Sequence, residues 1–176
     1  ILKNMKKKFI TIILFILVSF PAYSKEKIVY LDLEKIMQDS KAGKSIIAQL
    51  KKKSETSISK FKKREKEIIE KEKKLIAQKN LLSKEEFEKN LINLRKDISN
   101  FHKDRNKDFN DITKKRVKAS TNLINKLTPI LEDYSKKNSI RIIVQKKHIV
   151  MGKKEDDITK EILELVNQNI SSVKID

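Results

Sequence analysis

The residues able to do chemistry in this chain are few, and their spacing offers contact rather than catalysis. His102 and His148 stand alone, cysteine is absent, and no H-E-x-x-H spacing supplies the ligands that zinc requires. His102 is expected to be a solvated residue and His148 a strand-edge residue. Two glycines in 176 residues leave no glycine-rich phosphate loop and no nucleophile elbow. Paired carboxylates such as Glu85 and Glu86 fall on a polar helix start, where they favour the helix dipole. No catalytic, cofactor or metal site is assigned. What remains is charge: a formal +18 that attracts anionic partners, whether nucleic acid, an anionic membrane surface or acidic polypeptide.

That charge has a definite place. Residues 40–138 hold 28 Lys/Arg against 14 Asp/Glu, whereas residues 25–39 and 139–176 hold 10 of each. The central stretch must therefore present the cations. Within it apolar residues recur at steps of three and four, through Ile47, Leu50, Ile58, Phe61, Ile68, Leu75 and Leu82. They resume through Phe87, Leu91, Leu94, Ile98, Phe101, Phe109, Ile112, Ala119, Leu123, Leu127, Ile130 and Tyr134. This is the seam of two long amphipathic helices. Polar residues interrupt it at Ser54, Glu65, Glu72, Arg105 and Arg116. The hairpin is then either mobile in its outer part or a stable coiled coil with polar interruptions.

Asp39 and Ser40 offer an N-cap to the first helix, and Gly43 in its first turn costs little. That helix runs from about Lys41 to Lys79. Asn80–Ser83 breaks the pattern, and Ser83 with Glu86 makes a capping box for a second helix running to about Lys137. So short a connection implies an antiparallel hairpin with its tip near 80–83. Pro129 is expected to interrupt the second helix with a kink near Asn125–Pro129.

Both ends of the chain read as a small body. Lys27–Leu33 is a short strand expected to be buried on both faces, and Glu34–Gln38 makes one helical turn. Ile140–Gln145 and His148–Met151 are expected to form a β-hairpin turning at Lys146–Lys147. Asp157-Ile158-Thr159 caps a terminal helix with Ile158, Ile162, Leu163, Val166 and Ile170 on one side. The fold class is thus mostly α with a small β body. Its domains are an association body (25–39 and 139–176) and a coiled-coil-like hairpin arm (40–138). A body of 53 residues without disulfide or metal is marginal alone, so several copies are expected to pool their sheets. The interface is expected at Ile28, Tyr30, Ile142 and Val144.

The N-terminus carries Lys6, Lys7 and Lys8 before an apolar run from Phe9 to Phe20, then Pro21 and Ala22-Tyr23-Ser24. A basic start, a short apolar core and a small-x-small exit describe a secretory signal peptide over residues 1–24, cleaved after Ser24.

Several runs resemble the Skp/OmpH family of periplasmic chaperones. Ile28-Val29-Tyr30-Leu31-Asp32-Leu33 leads through Ser40 to Ala42-Gly43-Lys44, similar to that family's opening strand and S-x-A-G-K helix start. Asp157-Ile158-Thr159 is similar to its D-I-T start of the last helix. Where members often have Pro after the Ser, this chain has Lys41. The resemblance implies a homotrimer in the periplasm, with arms around a cavity. It implies binding of unfolded outer-membrane proteins without ATP and without cofactors. Phe87, Phe101 and Phe109 with Lys103 and Lys107 are the candidate client contacts, many weak points giving avidity. Burial in the seam is the other reading of each Phe. Anionic lipid and lipopolysaccharide stay open as further partners, nucleic acid is not expected, and a structural coiled-coil spacer of the envelope is the alternative function.

Overall fold

The computed structural model describes residues 27–175. The expected signal peptide and its cleavage point lie outside them. The chain runs β1 (Lys27–Leu31), α1 (Leu33–Asp39), α2 (Lys41–Ala77), α3 (Lys84–Lys137), β2 (Ile140–Gln145), two 3-10 turns (Lys146–His148 and Lys154–Asp156) and α4 (Thr159–Asn169). α2 and α3 are the two arms of an antiparallel hairpin. At 1.5 Å per residue they span about 55 and 80 Å, so the longer α3 extends past the start of α2 into the body.

The helix ends form for local reasons. Asp32 caps α1 by accepting from Lys35 N, and Ser40 caps α2 by accepting from Gly43 N at 3.0 Å. At the tip the capping box is complete: Glu86 N donates to Ser83 Oγ and Ser83 N donates to Glu86 Oε2, each at 3.2 Å. The Ser83 hydrogen bonds hold the Glu86 carboxyl below its ordinary range. Pro129 does not end α3, which is continuous from Lys84 to Lys137. Pro129 and Asn125 are both exposed, so water can satisfy the carbonyl that loses its helical donor. Gly43 is more than tolerated: a Cβ there would stand 1.9 Å from the Met37 carbonyl oxygen, and the absent side chain is what lets α1 and α2 meet.

The sheet departs from expectation in two ways. The β-hairpin over Ile140–Gln145 and His148–Met151 does not form. β2 instead pairs in parallel with β1, Ile28 with Ile142 and Tyr30 with Val144, and the entire arm hairpin serves as the crossover. Lys146-Lys147 lacks the residues that favour positive φ in a two-residue hairpin turn. Lys146–His148 winds into a 3-10 turn, with His148 exposed on it rather than on a strand edge. On the far edge of β1, Ile158 N donates to Tyr30 O at 3.0 Å. The second departure is in burial. Val29 and Leu31 enter the core, but Ile28 faces outward, so β1 is buried on one face only in a single chain.

One core joins the body to the arm bases. Ala42, Ile46 and Leu50 of α2 and Ala119, Leu123 and Leu127 of α3 cluster with Val29, Leu31, Ile36, Ile158, Ile162, Val166, Ile170 and Val173. The tail after α4 is held by the Gln49 side chain, whose Nε2 donates to Val173 O at 2.7 Å and whose Oε1 accepts from Ile175 N at 3.3 Å.

The Asp-Ile-Thr run is a joint between elements rather than the expected side-chain cap: the N-cap of α4 is Ile158, which makes no side-chain cap hydrogen bond. Asp157 Oδ1 accepts from Thr159 N at 3.0 Å and from its hydroxyl, while Thr159 Oγ1 accepts from Asp32 N at 2.9 Å. Lys146 Nζ donates to Asp157 Oδ2 at 3.3 Å. Burial pushes the Asp157 carboxyl up, but the Thr159 and Lys146 hydrogen bonds together outweigh it and leave the group below its ordinary value. A carboxyl lowered on folding stabilises above its unfolded pKa of about 3.9 and loses that contribution as pH falls through the folded value. We expect Asp157→Asn to lower stability at pH 7 by about 1–2 kcal/mol and to converge with wild type as pH falls through the folded value of the carboxyl. Urea melts across pH 2–7 check this, and parallel curves over the whole range would contradict it.

Candidate binding surface

The arms pack through few side chains. Phe61, Leu75, Leu94 and Phe101 are the buried residues of their outer part, with the Phe61 and Phe101 rings meeting edge to face at 5.9 Å between centroids. The seam expectation is corrected at several positions. Ile47 and Ile58 are exposed, and Ile46 occupies the inward position beside Ile47. Glu65, Glu72, Arg105 and Arg116 are also exposed, and only Ser54 is half-buried. Polar rungs elsewhere join the arms: Arg64 Nη1 to Asp104 Oδ2 at 2.6 Å, Lys71 to Asp97, and the Ser57 hydroxyl to Asp108. The Arg64 hydrogen bond holds the Asp104 carboxyl below its ordinary range. These groups are largely in water, so each ion pair adds little to stability, and their main effect is to fix the register of one arm against the other.

The candidate contact residues do not form one patch. Eight residues of helix turn Phe109 by about 80° from Phe101. Phe101 therefore closes the seam, and Phe109 stands 70% exposed beside it. Phe87 is half-buried near the tip. Lys103 and Lys107 are exposed, and their helical phase sets them apart from Phe109 by about 120° or more. His102 is exposed, its ring set edge to face with Phe101 at 5.4 Å between centroids.

Around Phe109 the arms part. Two adjoining cavities of about 650 and 560 Å³ lie between α2 and α3 and share Ser54, Phe109 and Ile112. Ile47 lines the first, and Ile58 with the Phe61–Phe101 pair lines the second. A groove of about 910 Å³ runs between α3 and α4, where Tyr134 faces Glu161; burial and that carboxylate push the Tyr134 hydroxyl up. Among the described residues no group of three His, Asp or Glu could hold a metal ion, and no helix is long and apolar enough to cross a membrane.

The outer face of the β1–β2 pair is the second apolar surface. Register places Ile28 beside Ile142 and Tyr30 beside Val144, with Ile28 59% and Ile142 45% exposed and the other two half-buried. Gly152 lies against the Tyr30 ring, and the Tyr30 hydroxyl donates to Lys153 O at 3.1 Å. Val150 and Met151 project fully exposed from the loop before Gly152. Sequence reasoning placed them in a strand. The signal for exposure was their position between the pairs Lys146-Lys147 and Lys153-Lys154. The inter-arm rungs were likewise signalled by opposite charges seven apart on each arm, Arg64 and Lys71 facing Asp104 and Asp97.

The model of one family, outer membrane protein (OmpH-like), matches residues 27–166. The fold is similar to the crystal structure of a Caulobacter crescentus CB15 protein described as an OmpH-like outer membrane chaperone. The TM-score is 0.80 at 13% sequence identity, over 90% of this chain and 96% of that one. No curated protein sequence matches the chain. The strand, long helical hairpin, returning strand and terminal helix, together with a family match over nearly all of the described residues, establish that this chain belongs to the OmpH-like family.

Proposed function

We propose that the protein is a holdase chaperone of the periplasm that keeps unfolded outer-membrane proteins from aggregating, without ATP. The observation that carries this reading is the form of the arms: a hairpin tens of ångströms long whose open side leaves Phe109 and several isoleucines in water beside numerous cations. Apolar side chains left unpaired over such a length fit a partner that is itself extended and irregular. A client held there cannot pair its strand edges with those of a neighbour, which is the route to aggregation. Membership of the OmpH-like family and the description of the Caulobacter protein support the same role.

The reading includes a homotrimer. Ile28, Tyr30, Ile142 and Val144 form a sheet face that one chain leaves uncovered, and pooling three such faces would complete a body too small to stand alone. The test has two parts. Dilution of a urea-unfolded β-barrel protein should give markedly less light scattering with the chaperone than without it; equal aggregation would overturn the reading. Ile28→Asp combined with Ile142→Asp should shift the sedimentation mass from trimer to monomer at micromolar concentration, and an unchanged mass would remove the sheet face from the interface.

A further inference from the structure

Along its open side α2 repeats itself every eleven residues. Ile47, Ile58 and Ile69 are eleven apart, and each is followed four residues on by a lysine, Lys51, Lys62 and Lys73, with a second lysine next to it. Eleven residues make just over three whole helical turns, so such a repeat runs almost straight along the helix. Residues four apart share a face, which puts each lysine beside its isoleucine. The three isoleucines are 49%, 64% and 42% exposed, and the three lysines are exposed with them. The buried arm residues Ile46, Leu50, Phe61 and Leu75 lie at a different phase, so the repeat contributes little to holding the hairpin together. Two of the units open onto the adjoining cavities: Ile47 and Lys51 line the first, Ile58 and Lys62 the second, and Phe109 of the opposite arm serves both. Lys51 and Lys73 reach Glu55 and Glu70 only through exposed ion pairs that leave the ammonium groups largely in water.

We propose that these units are three equivalent sites for an extended polypeptide bearing carboxylates near its apolar side chains, and that a held chain can shift by one unit along the arm without loss of contact. The proposal rests on the holdase reading and names the track on which the client lies. Each unit pairs an apolar contact with a cation, which fits an acidic and apolar partner. One step is about 16 Å, or about five residues of extended chain, so a segment with an apolar residue and a carboxylate in each five can meet successive units. Glu65 lies in phase with the isoleucines, within the second cavity. A carboxylate in that line opposes a flat anionic bilayer, while a discrete chain can pass it. Equivalence has a functional consequence: with no unit preferred, the bound chain samples several registers, and avidity comes from their number.

The experiment uses the full mature chain with an acidic, urea-unfolded β-barrel protein as probe. The chaperone contains no Trp, so client Trp fluorescence reports binding free of background. Ile47→Ser, Ile58→Ser and Ile69→Ser should each weaken binding by about threefold, and the triple variant by about thirtyfold, because each removes one of several similar contacts. Lys51→Gln, Lys62→Gln and Lys73→Gln combined should lower affinity and flatten its salt dependence. All six positions are exposed, and unchanged circular dichroism and sedimentation mass confirm the fold. The chain is free of Cys, so a photo-crosslinker on Ile58→Cys should capture the client and one on Thr56→Cys, across the helix, should not. The proposal is overturned if the triple isoleucine variant binds as wild type, if one single variant loses as much as the triple, or if both crosslinkers capture equally. It is also overturned if the lysine variants lose only binding to phosphatidylglycerol vesicles. A wild-type protein that holds no client would sink the holdase reading itself, and with it this one.

Discussion

Gly43→Ala lowers stability by about 3 kcal/mol, reversing the gain of about 1 kcal/mol that the same change brings in an ordinary helix interior. The reversal follows from one contact. The added methyl would lie 1.9 Å from the Met37 carbonyl oxygen and 2.7 Å from its carbon, and both are backbone atoms that cannot rotate away. Relief requires α1 to move off α2. Ser40 then loses its place, because its N–H donates to Ile36 O at 3.2 Å while its hydroxyl caps α2 at Gly43. Ser59→Ala, at an exposed position of α2, is the control for helix propensity and should be neutral or stabilising by about 0.5 kcal/mol. Urea midpoints at a fixed protein concentration read the difference, since association would otherwise contribute. A Gly43→Ala midpoint equal to or above wild type would show that the helices separate without cost.

Leu123→Ala has a comparable effect, about 3–4 kcal/mol, because Leu123 is wholly buried where the arm meets the body. Its reach distinguishes it from a change farther out. Leu94→Ala removes a contact between two helices only and should cost about 1–2 kcal/mol, since the two-helix seam can close partly over the gap. Hydrogen exchange separates the two outcomes. Leu123→Ala should lower protection across α4 and the tail through Val173, which share its core, whereas Leu94→Ala should lower it only in the arms. Loss confined to the arms in both variants would mean that the body holds together without the arm bases.

The parts of this fold legible in the sequence are those written in neighbouring residues. Ser83 and Glu86 mark the tip because a capping box is a local exchange of hydrogen bonds, and Ser40 marks the start of α2 for the same reason. The helices themselves follow from period and from the scarcity of breakers. The sheet was not legible to that degree. β1 takes its partner from a strand more than a hundred residues away, and β2 with His148–Met151 reads equally well as a hairpin when only near neighbours are weighed. Phase was the other gap. Ile46 and Ile47 are adjacent, and counting in threes and fours cannot decide which turns inward. The structure gives that place to Ile46 and leaves Ile47 in water. Phe101 and Phe109 divide in the same way, one in the seam and one beside the open cavities.

The parallel pairing of β1 with β2 bears on the order in which the chain can assemble. The bond from Asp32 N to the Thr159 hydroxyl joins positions 127 apart, and Val29 waits for Ile143 across a similarly long stretch. A chain delivered from its N-terminus has nothing to close its core upon until nearly all of it has arrived. α2 and α3, whose contacts grow outward from a short tip, can zip meanwhile, because local contacts form before distant ones repay their loop entropy. The hairpin thereby becomes the splint that carries the two ends to each other, and a truncation after Lys137 would leave that splint with no joint to close.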